Sequence, residues 1–433
     1  MRLFATMSLI VTLCAGSAFA QSFTTLKGHG GPIMGLDVSG TGQVATASFD
    51  NSVGLWDGRT PQWLEGHEAA VNAVAFLPDG RVVSAGDDFT VRLWEDAQSR
   101  IIGRHKGKVT ALEIAPETGM IASASWDGTI GLWPLAEGSG RVIKLRDSGV
   151  NDIVFGDGGD SLFAATTKGE VLLFDLTKDA PPRPLVKHGF GVNELALGPQ
   201  GRWLAYGAVD GGTRILDAVT GAALADFTLD RKPILSMVHH TATGLLAVGD
   251  GQGYIMLVDT KTWRIRQDFR ATRQGPIWAL AFSPDGAVVW AGGLDDVAYG
   301  WPIALMDQFD PAMGQERSFL KDVGEMTNGE RQFMRKCSIC HALEAGASRK
   351  AGPTLHGVFG RSAGRLPGYP YSPTLAGSDI IWSDATIDQL FDLGPDHYIP
   401  GSKMPMQVIA APQDRRDLIE FLKTYSQKEE TKP

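Results

Sequence analysis

VNAVAFLPDGRVVSAGDDFTVRLW, residues Val71–Trp94, decides the fold of most of this chain. Apolar side chains alternate with small or polar ones in three short runs, and Pro78-Asp79-Gly80 and Asp87-Asp88-Phe89 interrupt them as turn signals. The segment therefore reads as three antiparallel strands. Its closing tripeptide, Leu93–Glu95, has counterparts in Leu55–Asp57, Leu132–Pro134, Leu173–Asp175, Ile215–Asp217, Leu257–Asp259 and Gly300–Pro302, which follow one another at intervals of 38, 39, 41, 42, 42 and 43 residues. A unit this small cannot bury its own apolar faces and must stack on its neighbours. Seven units at this period predict an all-β, seven-bladed propeller over residues 21–302.

The units resemble WD40 repeats, with Gly28-His29 and Gly66-His67 near the start of a unit and a tryptophan near its end. The resemblance implies a buried hydrogen-bond set in each blade: His29, Ser48, Asp50 and Trp56 in the first, and His105, Ser125, Asp127 and Trp133 in the third. In the second blade Gly86 stands where the hydroxyl is expected, and blades four to six lose most of the set. His29, His67 and His105 are accordingly structural rather than metal-binding. His239 and His240 are adjacent on a strand and point to opposite faces, so they cannot chelate together. The strand-like segment Ser22–Leu26 is expected to complete blade seven and close the ring without exposed edges.

Beyond the repeats, Cys337-Ser338-Ile339-Cys340-His341 places two thiols two residues apart with an imidazole directly after them. A closed zinc site needs about four nitrogen or sulfur ligands, and no second pair of this kind follows. A redox dithiol would start a helix after a strand, whereas the preceding NGERQFMRK, Asn328–Lys336, reads as helix. The pattern is that of covalent c-type haem attachment, the thiols holding the cofactor and His341 ligating its iron.

Residues 328–426 resemble class I cytochrome c, a small all-α domain, and several motifs agree with it. Gly329 and Phe333 precede the cysteines, GPTLHGVFGR spans Gly352–Arg361, YIPGSKM spans Tyr398–Met404, and DRRDLIEFLKTY spans Asp414–Tyr425. The resemblance implies one covalent haem c with His341 and Met404 as axial ligands. Pro353 would support the His341 ring through its carbonyl, Arg361 would face a propionate, and Tyr371 and Trp382 would be propionate hydrogen-bond donors. Met406 is the alternative sixth ligand. Phe391 stands where the family often has a tyrosine near the methionine sulfur, and one residue is inserted between Trp382 and the distal loop. His356 is expected to be a structural hydrogen-bonder and His397 a solvated loop residue. A His/Met pair implies a positive potential and no open position for substrate.

The formal charge is −9, but residues 325–433 carry 13 basic and 13 acidic side chains, so the excess acid lies upstream. That balance argues against a nucleic-acid partner. Arg2, the apolar run around Leu9–Leu13 and Ala18-Phe19-Ala20 read as a signal peptide, residues 1–20, cleaved after Ala20. A periplasmic location follows, and no later stretch is apolar enough to span a membrane. Residues 303–327 read as a linker with a short helix near Gln315–Lys321, and residues 427–433 as a tail. The expected function is one-electron transfer to or from a redox partner protein, with the propeller making the protein–protein contacts and no catalytic residues of its own. Arg331, Arg335, Lys336, Arg349 and Lys350 are candidates for steering an acidic partner. The alternative is an oxidoreductase with its own substrate or second cofactor in the propeller.

Overall fold

The computed structural model describes residues 24–308 and 326–426, apart from 116, 136–138, 146, 229–232, 273–274, 339, 347–349, 403 and 405–407. The expected signal peptide, the expected helix near Gln315–Lys321 and Met406 lie outside the described residues.

The described residues before the linker form seven four-stranded antiparallel sheets, six of them built from consecutive strands. The seventh contains Ile277–Phe282, Val288–Gly293 and Val297–Pro302, and takes its outer strand, Thr24–Lys27, from the chain's beginning. Thr24 pairs with Gly300 and Lys27 with Val297, so the ring is closed by a backbone ladder between its two ends, as the sequence predicts.

Burial explains the composition of each strand. The second strand of a blade lies between two neighbouring sheets and is apolar or small on both faces: Val44–Ser48, Val82–Gly86 and Ile121–Ser125 are buried at every position. Apolar clusters bridge successive blades, for example Ala45, Val53 and Leu64 of blade one with Val71, Val74 and Trp94 of blade two. Each innermost strand carries a bulge between its first and third residues, as at Val71/Ala73 and Val109/Ala111. The bulge adds local twist where the strands converge on the axis.

The buried polar network departs from the expected one in each of the first three blades. In blade one, the His29 ring bonds Asp50 at 2.9 Å and Thr46 at 2.7 Å, and the Trp56 indole donates to Thr46. Ser48 instead donates to the Gly31 carbonyl and caps the Asp50 amide. Ser123 plays the hydroxyl role in blade three, not Ser125. Blade two, expected to lack its hydroxyl at Gly86, instead has a complete set in His67, Ser84, Asp88 and Trp94. Residues two apart on a strand share a face, so the sequence leaves both hydroxyls eligible. Only the one opposite the tryptophan's strand reaches both rings. Blade five retains a variant in which His188 meets Asp210 at 3.0 Å and Arg214 at 2.7 Å.

After a short 3-10 turn at Ile303–Gln308 and the linker, the described residues form five helices: α1 Asn328–Lys336, α2 Pro373–Ala376, α3 Asp384–Leu393, α4 Pro395–Tyr398 and α5 Pro412–Tyr425. Thr327 caps α1 and a reciprocal Ser383/Thr386 pair caps α3. Helices α1 and α5 pack at Gly329, where an added Cβ would lie 2.1 Å from the Asp417 carbonyl oxygen. Glycine is required there by that approach. Arg415 locks α5 onto α3 through Asp388 and Asp392, and it also donates to the Ile409 carbonyl. Among the described residues no helix is long and apolar enough to cross a membrane.

Candidate functional site

The sequence-predicted residues converge. Cys337, Cys340, His341, Pro353, Arg361, Tyr371, Trp382 and Met404 all line one cavity of about 600 Å³. They reach it from separate segments: the end of α1, the loop before α2, the strand-like bridge at Ile381, and the turn after α4. Leu355, Val358, Ile387, Leu390, Phe391 and Leu422 complete an apolar wall, so the space suits a large flat hydrophobic group with a few polar anchors.

Helix α1 ends at the attachment motif, and the His341 amide bonds back to the Cys337 carbonyl at 2.8 Å. That turn sets the three side chains on one side of the chain. Cys337 and Cys340 are both free thiols. Burial pushes the Cys337 thiol up to about 12 and the Cys340 thiol to about 11, so both stay protonated at neutral pH. The His341 ring nitrogen Nδ1 lies 2.7 Å from the Pro353 carbonyl oxygen. A carbonyl only accepts, so Nδ1 carries the proton and Nε2 keeps its lone pair. Burial lowers the His341 pKa and favours this neutral form.

Gly352 is part of the same cradle, because a Cβ there would lie 2.4 Å from His341 Cε1. Arg361 is held rather than free: it donates to the carbonyls of His356 and Thr354, and burial lowers its pKa. Tyr371 packs edge-on against Tyr369, whose hydroxyl donates to the Ala351 carbonyl. Tyr369 escaped the sequence reading, although the Tyr-Pro-Tyr run was a visible signal, and Gly352 was read only as the first residue of its motif, not for its contact with the ring. His397 is exposed. His356, expected to be a structural hydrogen-bonder, leaves its buried Nδ1 without a partner among the described residues. Its backbone supplies the bonding instead.

Blades one and two complete the cavity's mouth with Phe49, Asn51, Glu68, Asp87, Asp88 and Phe89. No pattern within the cytochrome-like segment could have indicated these. Elsewhere, His239 packs on Trp203 while His240 bonds Thr243, so the two rings serve different neighbours.

The donor set fits haem c: two free thiols, a neutral imidazole with Nε2 available, a thioether across an apolar cavity, and polar groups at one rim. Fold and site together define a c-type haem protein with a β-propeller module. A cytochrome c family model matches residues 326–426, and a model described as WD domain, G-beta repeat matches residues 20–57, 58–95 and 97–134. The three matched repeats are those with a complete His–hydroxyl–Trp network. Cytochrome c of Sesamum indicum is 43% identical over 100 residues, covering 23% of this chain and 89% of that protein. Cytochrome c of Arabidopsis thaliana is 41% identical over 109 residues, 25% of this chain and 92% of that protein. Through residues 326–426 the chain belongs to the cytochrome c family.

Proposed function

We propose that this protein is a periplasmic one-electron carrier whose single haem c is ligated by His341 and Met404, and whose propeller docks a redox partner. The observation that carries the reading is the convergence of all eight predicted residues on one apolar cavity, with the His341 tautomer fixed by Pro353. When bound, the haem supplies a reversible one-electron couple. Cys337 and Cys340 are the thiols that hold it covalently. His341 presents a neutral nitrogen, Met404 a thioether, and the apolar wall excludes water. Arg361, Tyr371 and Trp382 supply donors at the polar rim. With His341 and Met404 both offered as ligands by the protein, a haem held here would exchange electrons and would leave no position for a substrate.

The test is cofactor and metal analysis, with redox-titrated optical spectra, on protein from an exporting, haem-maturing host. One covalent haem per chain, a positive potential and an N-terminus at Gln21 are expected. A second cofactor in the propeller, or haem reduction by a small substrate alone, would overturn the carrier reading in favour of an oxidoreductase.

A further inference from the structure

In blades one to six the turn between the second and third strands is built alike. The amide of one residue bonds the carbonyl three residues before it at 3.0–3.3 Å, and that residue takes a positive φ between 65° and 90°. Blades three to six place glycine there, as Gly128, Gly169, Gly211 and Gly253, and blade one places Asn51. Both residue types accept this conformation readily. Blade two alone of these six puts a bulky side chain in the position, Phe89 at φ +65°. The turn is ordinary, but the residue in it is not.

Packing inside the propeller does not explain this choice, because Phe89 is still 42% exposed. Its place does. Phe89 lines the mouth of the haem cavity, and so do Phe49 and Asn51 from the matching turn of blade one. The four glycine turns of blades three to six take no part in the cavity. From the cytochrome segment the same space is lined by Cys337, Cys340 and His341. Asp87 and Asp88 also stand at the mouth, but they are engaged within blade two: Asp87 accepts from the Asn72 amide group, and Asp88 bonds His67 and Thr90. Phe49 and Phe89 are therefore the apolar part of what the propeller brings to this wall.

We propose that Phe89, together with Phe49, is the propeller's wall of the haem site. The two rings cover the edge of the macrocycle that the cytochrome segment leaves open, and they keep water from it. Contact with the bound group offsets the strain of a phenylalanine in a turn that suits glycine. Burial and solvent exposure are among the levers by which a protein sets the behaviour of a haem, so the propeller acts on the cofactor directly. The wall also gives the propeller's docking role a place, since a partner protein that reaches this edge does so across the turns of blades one and two. This inference rests on the reading that the cavity holds haem.

The test uses the full-length holoprotein. With Cys337 and Cys340 bound to haem and Cys14 lost with the expected signal peptide, an introduced cysteine is the single free thiol. A dansyl label at Phe89→Cys is expected to lose most of its fluorescence to the haem by energy transfer. The same label at Val219→Cys, an exposed position in a turn at the other end of blade five, should lose much less. Phe89→Gly and Phe89→Asn give blade two the residues that the other blades use, so the urea midpoint of the propeller should not fall. Reduction of the oxidised haem by a small neutral hydroquinone should quicken several-fold in both, because the edge is opened. Trp126→Ala removes an exposed ring of blade three that takes no part in the cavity, and should leave the rate unchanged. Equal quenching at the two labels, unchanged reduction rates in both Phe89 variants, or an equal gain in Trp126→Ala would overturn the wall. A wild-type protein that carries no covalent haem would instead overturn the reading of the cavity on which it rests.

Discussion

The Nδ1–H of His341 donates a hydrogen bond to the carbonyl oxygen of Pro353 across 2.7 Å. This bond fixes both the tautomer and the ring plane. It arises because Gly352 lets the chain pass within van der Waals contact of the imidazole, and Pro353 then holds its carbonyl in a fixed direction. The proximal side of the site is thus built by backbone, and a small change there propagates to the ligand.

Gly352→Ala tests that dependence. The new methyl would meet His341 Cε1 at 2.4 Å and the Cys340 carbonyl at 2.8 Å, so the ring or the loop must shift. The expected cost is about 1–3 kcal/mol in chemical unfolding, with an altered axial-ligand spectrum in the holoprotein. A spectrum and stability equal to wild type would show that the loop yields freely and that the Pro353 bond does not set the ring.

Met404→Ala tests the distal side. Met404 packs in the same apolar cluster as Phe391 and Ile399 and lines the cavity, whereas its competitor Met406 is two residues further on. The variant should lose the methionine–iron charge-transfer band of the oxidised protein. Its midpoint potential should fall by a few tenths of the ~0.8 V range over which axial ligands act. Retention of the band would reassign the ligand.

Ser84→Ala tests the corrected blade network. The Ser84 hydroxyl donates to His67 Nε2 and accepts from the Trp94 indole, each at 2.7 Å, and all three side chains are buried. Removing it leaves a buried acceptor and a buried donor unsatisfied, a loss of about 2–4 kcal/mol. A urea titration reads this directly. A cost below about 0.5 kcal/mol would mean that water replaces the hydroxyl.

The repeat period and the attachment motif were legible because each rests on a strict spacing. Seven blades and the closing strand at Thr24–Lys27 follow from counting, and the cavity residues from short motifs around Cys337 and Met404. What failed was discrimination between equivalent positions on one face, as between Ser48 and Thr46, because strand periodicity is the same for both. What was invisible was anything joining distant parts of the chain. Phe89 reads as an ordinary turn residue, and nothing local shows that it borders a cavity made mostly by residues beyond Lys336.

The innermost strands give a final prediction, on pH. Asp37 accepts the Phe76 amide of the next blade and Asp152 accepts the Leu195 amide, both at 2.7 Å. Burial raises Asp37 to about 6, Asp152 to about 7, and Glu113, which also feels the charges of Asp152 and Asp37, to about 8. A carboxyl whose folded pKa lies above its unfolded value binds more protons in the folded state. Its contribution is therefore full below about pH 4 and is lost as pH rises through the folded value. For Glu113 that window extends to about pH 8. Glu113→Gln stays neutral throughout, so the melting temperature of the variant relative to wild type should rise between pH 5.5 and 8.5, by several degrees. Histidines such as His105 and His239, whose pKa values burial lowers, act in both proteins and cancel in the difference. Parallel pH profiles for the two proteins would mean that water reaches the Glu113 carboxylate among the innermost strands.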